Sequence, residues 1–159
     1  MRALLYAALV VVLDQITKYL VRHNLDLHST VQILGDFFRL TYVENSGIAF
    51  GIKVGGALPL FTIFSILATI LILYYFFRER TNHVLIRLSL SLVLGGAVGN
   101  LIDRIVFGRV ADFLDFGVGQ YRFFVFNVAD SAVTIGVILF LLLTTFVLPR
   151  QKEAVGENA

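Results

Sequence analysis

The chain has 159 residues, enough for one domain, and 58% of them are hydrophobic while only 15% are charged. A soluble domain carries about 25% charged residues, so this composition indicates a membrane protein. The net charge of +2, with no clustered basic face, excludes a nucleic-acid partner, and the lack of cysteine excludes disulfides, thiol nucleophiles and cysteine metal sites.

The first predicted helix ends in polar residues. Residues 3–13 form an apolar run after Arg2, like the start of a signal peptide, but no small-residue cleavage site follows. Continued through Asp14 and Lys18 to about Val21, the run is typical of a transmembrane helix with a polar end. Asp14 and Lys18 are four residues apart, so they share a helix face and can pair. The pair either caps the span or supports a polar site at one membrane face.

The long polar segment 24–56 predicts short strands followed by a loop. Its runs 31–34 and 37–43 are rich in β-branched and aromatic residues, with Gly35-Asp36 between them. They indicate a small sheet or cradle at the membrane surface. Residues 44–51, with Asn45 and two glycines, are typical of a turn-rich loop. This loop is either an ordinary turn or a cover over a site to which Asn45 offers an amide.

The second and third predicted spans are joined by a short connector. Residues 57–77 carry no charge, and at ~1.5 Å per residue they are long enough for a hydrocarbon core of ~30 Å. We expect residues 78–87 to be a polar connector and the third span to begin at Leu88. Three glycines on this span permit close helix packing. Near the end of this third span, three polar residues share one helix face: Asn100, Asp103 and Arg104.

The stretch 105–125 is expected to link the third and fourth spans. Asp112 lies within it between apolar neighbours, which suits a carboxyl held in a low-dielectric setting. Asp115 has similar neighbours, and spacing does not rank the two.

The fourth predicted span covers residues 127–148 and begins with a polar cluster. Its first two turns contain Asn127, Asp130, Ser131 and Thr134. The polar residues from 149 to 159 predict a disordered tail. The expected fold is thus mainly α, with four transmembrane helices and a small β-cradle with loops on one side of the membrane.

The carboxylates are the candidate chemistry of this chain. A charge at membrane depth costs roughly 2.5–3.5 kcal/mol on insertion scales, so such residues usually face a protein interior or cavity. The three histidines have no metal-ligand spacing, and we expect no metal or cofactor. Two close carboxylates share a proton, and such a pair can activate water toward a carbonyl and protonate the leaving group. The same pair suits a proton- or cation-coupled transporter, and the glycine-bearing third helix suits a membrane scaffold.

Five motifs, in order among four spans, resemble those of lipoprotein signal peptidases (signal peptidase II), a family of bacterial membrane aspartic peptidases. The resemblance covers residues 14 to about 134. The motifs are Asp14-Gln15-Ile16-Thr17-Lys18, Asn45-Ser46-Gly47-Ile48-Ala49-Phe50, Gly99-Asn100-Leu101-Ile102-Asp103-Arg104, Val110-Ala111-Asp112-Phe113 and Phe126-Asn127-Val128-Ala129-Asp130-Ser131-Ala132. Each motif is weak alone, and together they are specific.

The resemblance implies that Asp112 and Asp130 form the catalytic pair, ahead of Asp115 and Asp103. It implies that seven further residues line or brace the site: Asp14, Lys18, Asn45, Asn100, Asp103, Arg104 and Asn127. Two residues depart from the family pattern, Ile48 where a small residue is frequent and Val133 where isoleucine is common. Ile48 could narrow the contact of the loop with substrate, and neither departure touches the pair.

The resemblance also implies the substrate and the setting. The family removes signal peptides from prolipoproteins, cutting just before a cysteine that carries diacylglycerol, at the outer face of the bacterial inner membrane. We therefore expect residues 1–148 to form one membrane peptidase domain, with 24–56 as an extracytoplasmic β-cradle and loop. The termini and the tail 149–159 are expected in the cytoplasm. The expected partners are the prolipoprotein and membrane lipid, the chain being a monomer.

Overall fold

The computed structural model describes residues 2–46, 60–79 and 83–147, which form helices packed beside a small sheet. The predicted tail lies outside the described residues, as do residues 47–51 of the predicted loop, which include Ile48. The helices are α1 (Arg2–Asn24), α2 (Leu60–Arg78), α3 (Val84–Phe107) and α4 (Val128–Leu142), the last continued by a π-helical turn (Leu143–Val147).

Three of the described helical stretches are long and apolar enough to cross a membrane: Ala3–Asn24, Val84–Phe107 and Val128–Phe146. A shorter apolar helix, Thr62–Arg78, overlaps the predicted second span. Large apolar side chains on their outer faces are exposed, as for Leu5, Phe64 and Ile135. Lipid is the solvent that suits such faces, so the prediction of a multi-pass membrane protein is confirmed.

Helix α3 lies at the centre and packs against each of the other three helices. Glycine makes the approach of α4 possible, because a Cβ at Gly96 would collide with the backbone oxygen of Ala129. The predicted start of α3 at Leu88 was wrong: the helix begins at Val84, and His83 caps it by accepting a hydrogen bond from Leu85 N–H at 3.3 Å. The polar connector is therefore shorter than residues 78–87.

The sheet has four antiparallel strands in the order β1 to β4. The strands are β1 (Thr30–Leu34), β2 (Phe38–Asn45), β3 (Val110–Val118) and β4 (Tyr121–Arg122). The two short strands predicted in 24–56 are confirmed, although β2 extends to Asn45, so the predicted loop cannot begin at residue 44. Residues 105–125 link α3 to α4 as predicted, but the strands within this link were not predicted: β3 pairs with β2, and Asp112 lies opposite Val43.

A small apolar core joins the sheet to the helices. It consists of Val21 on α1, Tyr42 on β2, and Ala111 and Phe113 on β3, all buried. Ala111 and Phe113 flank Asp112, and packed side chains on both sides of a residue restrict where its own side chain can lie. The core therefore fixes the position of Asp112 relative to the helix ends.

Candidate active site

All nine residues predicted to form or brace the site meet in one hydrogen-bonded network. It lies where β3, the start of α4 and the last turns of α3 come together, and the middle of α1 completes it. The residues are Asp14, Lys18, Asn45, Asn100, Asp103, Arg104, Asp112, Asn127 and Asp130. The predicted clustering is confirmed as geometry, while the catalytic roles remain a prediction.

Asp112 stands on β3 with only 3% of its surface exposed. Asn127 Nδ2 donates to its Oδ1 at 2.6 Å, and Asn45 Nδ2 donates to its Oδ2 at 3.3 Å. Burial, reinforced by the negative charge of Asp130, raises the pKa of Asp112 to about 6, against the opposing effect of the two amides and Lys18. Asp112 is therefore a carboxyl that holds a proton up to about pH 6.

Asp130 lies in the first turn of α4 and takes part in the cap of that helix. Its backbone N–H donates to Asn127 Oδ1 at 2.9 Å, and its Oδ2 accepts from Asn127 N–H at 3.3 Å, which is a reciprocal capping box. Its Oδ1 accepts from Asn100 Nδ2 at 2.7 Å. The helix dipole favours negative charge at this end of α4.

Two asparagine amides connect Asp112 to Asp130. Asn127 Nδ2 donates to Asp112 and also to Asn100 Oδ1, at 3.2 Å. Asn100 Nδ2 in turn donates to Asp130. A neutral amide carries both a donor and an acceptor, so it can link two carboxylates without adding charge.

The predicted pairing of Asp14 with Lys18 is confirmed at 2.8 Å, with both side chains fully buried. Lys18 Nζ also lies 3.3 Å from Asp103 Oδ2 and donates to Asn100 Oδ1 at 2.9 Å. The ammonium group has three N–H bonds and three partners, so none is left for substrate. The pair thus lies within α1 and inside the network, which favours site support over a cap of the span, and that role stays a prediction.

Arg104 and Asp115 occupy different positions around this network. Arg104 NH1 donates to the backbone oxygen of Asn100 at 3.3 Å, and its side chain is partly exposed beside the site. Asp115 instead accepts from Arg122 Nε and Thr41 Oγ1, each at 2.7 Å. Burial raises the pKa of Asp115, but these partners outweigh it and hold that pKa below its usual value. Asp115 is a structural carboxylate of the sheet.

Sequence reasoning missed two residues of the site. Gln15 Nε2 donates to Gly99 O at 3.1 Å and to Asp103 Oδ1 at 3.3 Å. Arg22 NH2 donates to Asp103 Oδ2 at 2.9 Å, and its guanidinium lies 4.0 Å from the centre of the Phe107 ring. Arg22 follows Lys18 by four residues on the same helix, and that spacing was the available signal.

A cavity of about 330 Å³ opens between α2, α3 and α4 next to Asp130. One end is polar and the remainder is lined by small, hydroxyl and apolar side chains. The lining residues are Ser65, Ala68, Thr69, Ile72, Ala97, Asn100, Arg104, Asp130, Val133 and Thr134. Across the described ranges, no group of three or more histidine, aspartate or glutamate side chains is arranged to hold a metal ion.

Comparisons with known proteins agree with this arrangement. A model of the family described as signal peptidase (SPase) II matches residues 6–146. The chain belongs to the signal peptidase II family. Its members are membrane aspartic peptidases, which makes this chain a hydrolase, as the motifs predicted. The comparisons give no support to the transporter alternative.

Individual relatives match over nearly their whole length. The lipoprotein signal peptidase of Syntrophus aciditrophicus is 42% identical over 154 residues, covering 94% of each chain. That of Symbiobacterium thermophilum is 49% identical over 142 residues, covering 89% of this chain and 93% of the relative. A solved structure of a bacterial membrane enzyme superposes with a TM-score of 0.79 at 33% identity, covering 91% of this chain and 93% of its own.

Proposed function

We propose that this chain removes the signal peptide from diacylglyceryl-modified prolipoproteins by cutting before the lipidated cysteine, with Asp112 and Asp130 as the catalytic pair. One observation carries the proposal: a strand and a helix start bring two carboxylates into one buried network, linked through Asn100 and Asn127. The names of the relatives, lipoprotein signal peptidase, support the choice of substrate.

The surroundings of the two carboxylates assign one as the general base and the other as the general acid. Asp130, at the positive end of the α4 dipole, is the base that takes a proton from water as the water attacks the scissile carbonyl. Asp112, with its raised pKa, gives its proton to the carbonyl oxygen. As the tetrahedral intermediate collapses, Asp130 passes the proton taken from water to the leaving amine and Asp112 takes a proton back from the diol, so the pair returns to its starting state. The reaction needs no covalent intermediate and no cofactor.

Cleavage by the purified chain in detergent tests this proposal. The substrate is a prolipoprotein whose cysteine carries diacylglycerol, and the matched control is the same protein without the lipid. We expect one cut, immediately before the lipidated cysteine, identified by the mass of the product. Absence of cleavage by a folded preparation would overturn the proposal.

The pH profile should report on Asp112. We expect kcat/KM to fall on the alkaline side as Asp112 loses its proton, with a midpoint near the pKa of about 6. The hydrogen bond from Asn45 favours the charged carboxylate and lowers this pKa, so Asn45→Ala should move the midpoint to higher pH. The measurement is kcat/KM against pH for the wild type and this variant.

Asn24→Ala is the matched control for the pH experiment, because the Asn24 amide donates only to Leu20 O of its own helix among the bonds described. It should leave the midpoint unchanged. A downward shift or no shift with Asn45→Ala would contradict the assignment of the alkaline limb to Asp112.

The cavity beside Asp130 gives a second expectation about the substrate. Ala97 lines it, and Ala97→Leu would fill part of the space that we assign to substrate. We expect KM for the prolipoprotein to rise about tenfold with little change in kcat, in line with the effect of one misplaced aliphatic group. Ala8→Leu, at an exposed position of α1, is the control that should change neither constant.

The finer membrane arrangement is part of the proposal. We infer four transmembrane helices, with the uncharged residues 57–77 as the second. The sheet side is then the outer face of the bacterial inner membrane, and both termini are cytoplasmic. The support for this orientation is the family resemblance, because the basic residues are nearly balanced, with six on the terminal side and seven on the sheet side.

The remaining assignments follow from this arrangement. Residues 1–148 make up one peptidase domain, whose outer part, 24–56, is the cradle and loop, and 149–159 are a cytoplasmic tail. The protein acts as a monomer surrounded by membrane lipid. The support is that a single chain supplies all nine residues of the site network.

A further inference from the structure

Two buried carboxylates hold the backbone immediately before each catalytic aspartate. Asp14 Oδ1 accepts from Ala129 N–H at 2.9 Å, and Ala129 precedes Asp130. Asp103 Oδ2 accepts from Ala111 N–H at 3.0 Å, and Ala111 precedes Asp112. Both alanines are 0% exposed, so water cannot replace either carboxylate as the partner of these amides.

One lysine joins the two carboxylates. Lys18 Nζ lies 2.8 Å from Asp14 Oδ2 and 3.3 Å from Asp103 Oδ2, and all three side chains are 0% exposed. Arg22 adds a second positive charge at 2.9 Å from Asp103 Oδ2. Two anions and two cations balance, and attraction between such groups is strong where water is excluded.

We infer that Asp14, Lys18 and Asp103 form a clamp that sets the separation of Asp112 from Asp130. The inference rests on the proposed function and assigns these three residues as positioning residues that do not touch substrate. Each carboxylate accepts a hydrogen bond from the backbone N–H of the residue before a catalytic aspartate. Lys18 forms an ion pair with both carboxylates and so holds them close to each other. A shift of either carboxylate is passed through one hydrogen bond to the residue before a catalytic aspartate.

The absence of a side chain at Gly99 leaves space for the carboxylate of Asp14 in this clamp. A Cβ at Gly99 would lie 2.6 Å from Asp14 Oδ2, so any side chain there must displace that carboxylate. Gly95, about one turn earlier on α3, also faces α1, but a Cβ there would meet Val10 Cβ at 2.7 Å and Ala7 O at 2.8 Å. Both glycines allow α1 and α3 to pack closely, but only Gly99 is in contact with the clamp.

Substitution of the two glycines therefore tests whether the clamp has a role beyond ordinary helix packing. Gly99→Ala changes no charge, yet we expect it to lower kcat by about a hundredfold with KM within about threefold, the pattern of a misplaced catalytic group. Gly95→Ala should lower the melting temperature about as much as Gly99→Ala does, but it should leave kcat within about threefold of the wild type. Equal loss of kcat in the two variants would overturn the inference.

Asp103 offers a conservative rescue. Asp103→Asn keeps an oxygen for Ala111 N–H and Lys18, while it removes the negative charge and the acceptor for Gln15 Nε2. Asp103→Leu has the same branching at Cγ, with methyl groups in place of the two oxygens, and so no acceptor. We expect kcat to fall by about a hundredfold in the leucine variant and by less than about tenfold in the asparagine variant. The same loss in both would show a merely structural role.

A readout that needs no turnover completes the test. The titration of Asp112 can be followed by the carboxylic acid infrared band that disappears in Asp112→Asn. Moving Asp130 away weakens its effect on Asp112, so the midpoint should fall in Gly99→Ala and stay in Gly95→Ala. An unchanged midpoint in Gly99→Ala overturns the clamp. Absence of cleavage by the wild type would instead overturn the proposed function, and the titration would still decide on the clamp.

Discussion

Asp112→Asn and Asp130→Asn are each expected to lower prolipoprotein cleavage by about 10³-fold or more, because each removes the proton acceptor or donor of the reaction. Asparagine keeps the shape of the side chain and one of its acceptors, so the hydrogen bonds from Asn127 to Asp112 and from Asn100 to Asp130 can persist. The measurement is the initial rate of cleavage by purified protein in detergent, with folding checked by circular dichroism.

The stability of Asp112→Asn should also be distinctive. The pKa of Asp112 rises from 3.8 to about 6 on folding, so the folded state binds the proton more tightly than the unfolded state. A wild-type protein therefore loses stability as pH rises from about 4 to about 6, by roughly 3 kcal/mol in total. Asparagine carries no charge and escapes this penalty, so above pH 6 the variant should unfold at the same temperature as the wild type or higher.

Asp115→Asn is the matched control, on the same strand three residues away. Its carboxylate bonds Arg122 and Thr41 and takes no part in the network around Asp112. We expect it to retain substantial activity, within about tenfold of the wild type, and to lose roughly 1.5–3 kcal/mol of stability, because Asp115 is 5% exposed and its charged hydrogen bond to Arg122 is weakened. A loss of activity as large as that of Asp112→Asn would refute the assignment of the pair.

The helices could be predicted from sequence because their signal is local and strong. Long uncharged runs leave few alternatives in a membrane, and the described helices lie where those runs were found. The error at the start of α3 also has a local cause. Arg87 reads as part of a polar connector, yet it lies inside the helix, which begins at Val84 after the His83 cap.

Strand β3 could not be predicted in the same way. Asp112 and Asp115 interrupt its apolar residues, and aspartate is depleted in strands because it seldom fits a buried pleated surface. The strand is stable because Asn45 and Asn127 satisfy one carboxylate while Arg122 and Thr41 satisfy the other. Asn45 and Thr41 lie more than 60 residues away in sequence, and Arg122 and Asn127 lie outside the strand, so the compensation is invisible within the segment itself.

The missed strand also explains why the two aspartates could not be ranked from spacing. Side chains alternate between the faces of a strand, so residues three apart point to opposite sides. Recognition of Val110–Val118 as a strand would have separated Asp112 from Asp115 on physical grounds. With the segment treated as a link, only the family resemblance could choose between them.

Asn127 is expected to be the most sensitive neutral residue of the site, because it performs two separable tasks. Its Oδ1 caps α4 by accepting from Asp130 N–H at 2.9 Å. Its Nδ2 donates to Asp112 Oδ1 at 2.6 Å and to Asn100 Oδ1 at 3.2 Å. Serine and alanine at this position distinguish the tasks, since serine is as good a cap as asparagine and alanine is a poor one.

Both Asn127→Ser and Asn127→Ala should lower cleavage by about 10²-fold or more, because each removes the amide donor that orients Asp112. Loss of that donor also raises the pKa of Asp112, since the hydrogen bond favours the charged form. The alkaline limb of kcat/KM should therefore move to higher pH in both variants. Rates and pH profiles measured side by side test these expectations.

Stability should then separate the two variants. Asn127→Ala loses the cap as well as the donor, so it should be less stable than Asn127→Ser by about 1 kcal/mol in denaturant unfolding. Serine activity within threefold of the wild type would show that the cap alone matters and that the amide is not needed to orient Asp112. If Asn127→Ser and Asn127→Ala were equally stable but differed in activity, the assignment of the two tasks would be wrong. Both variants lack the amide donor, so loss of that donor could not explain a difference in activity between them.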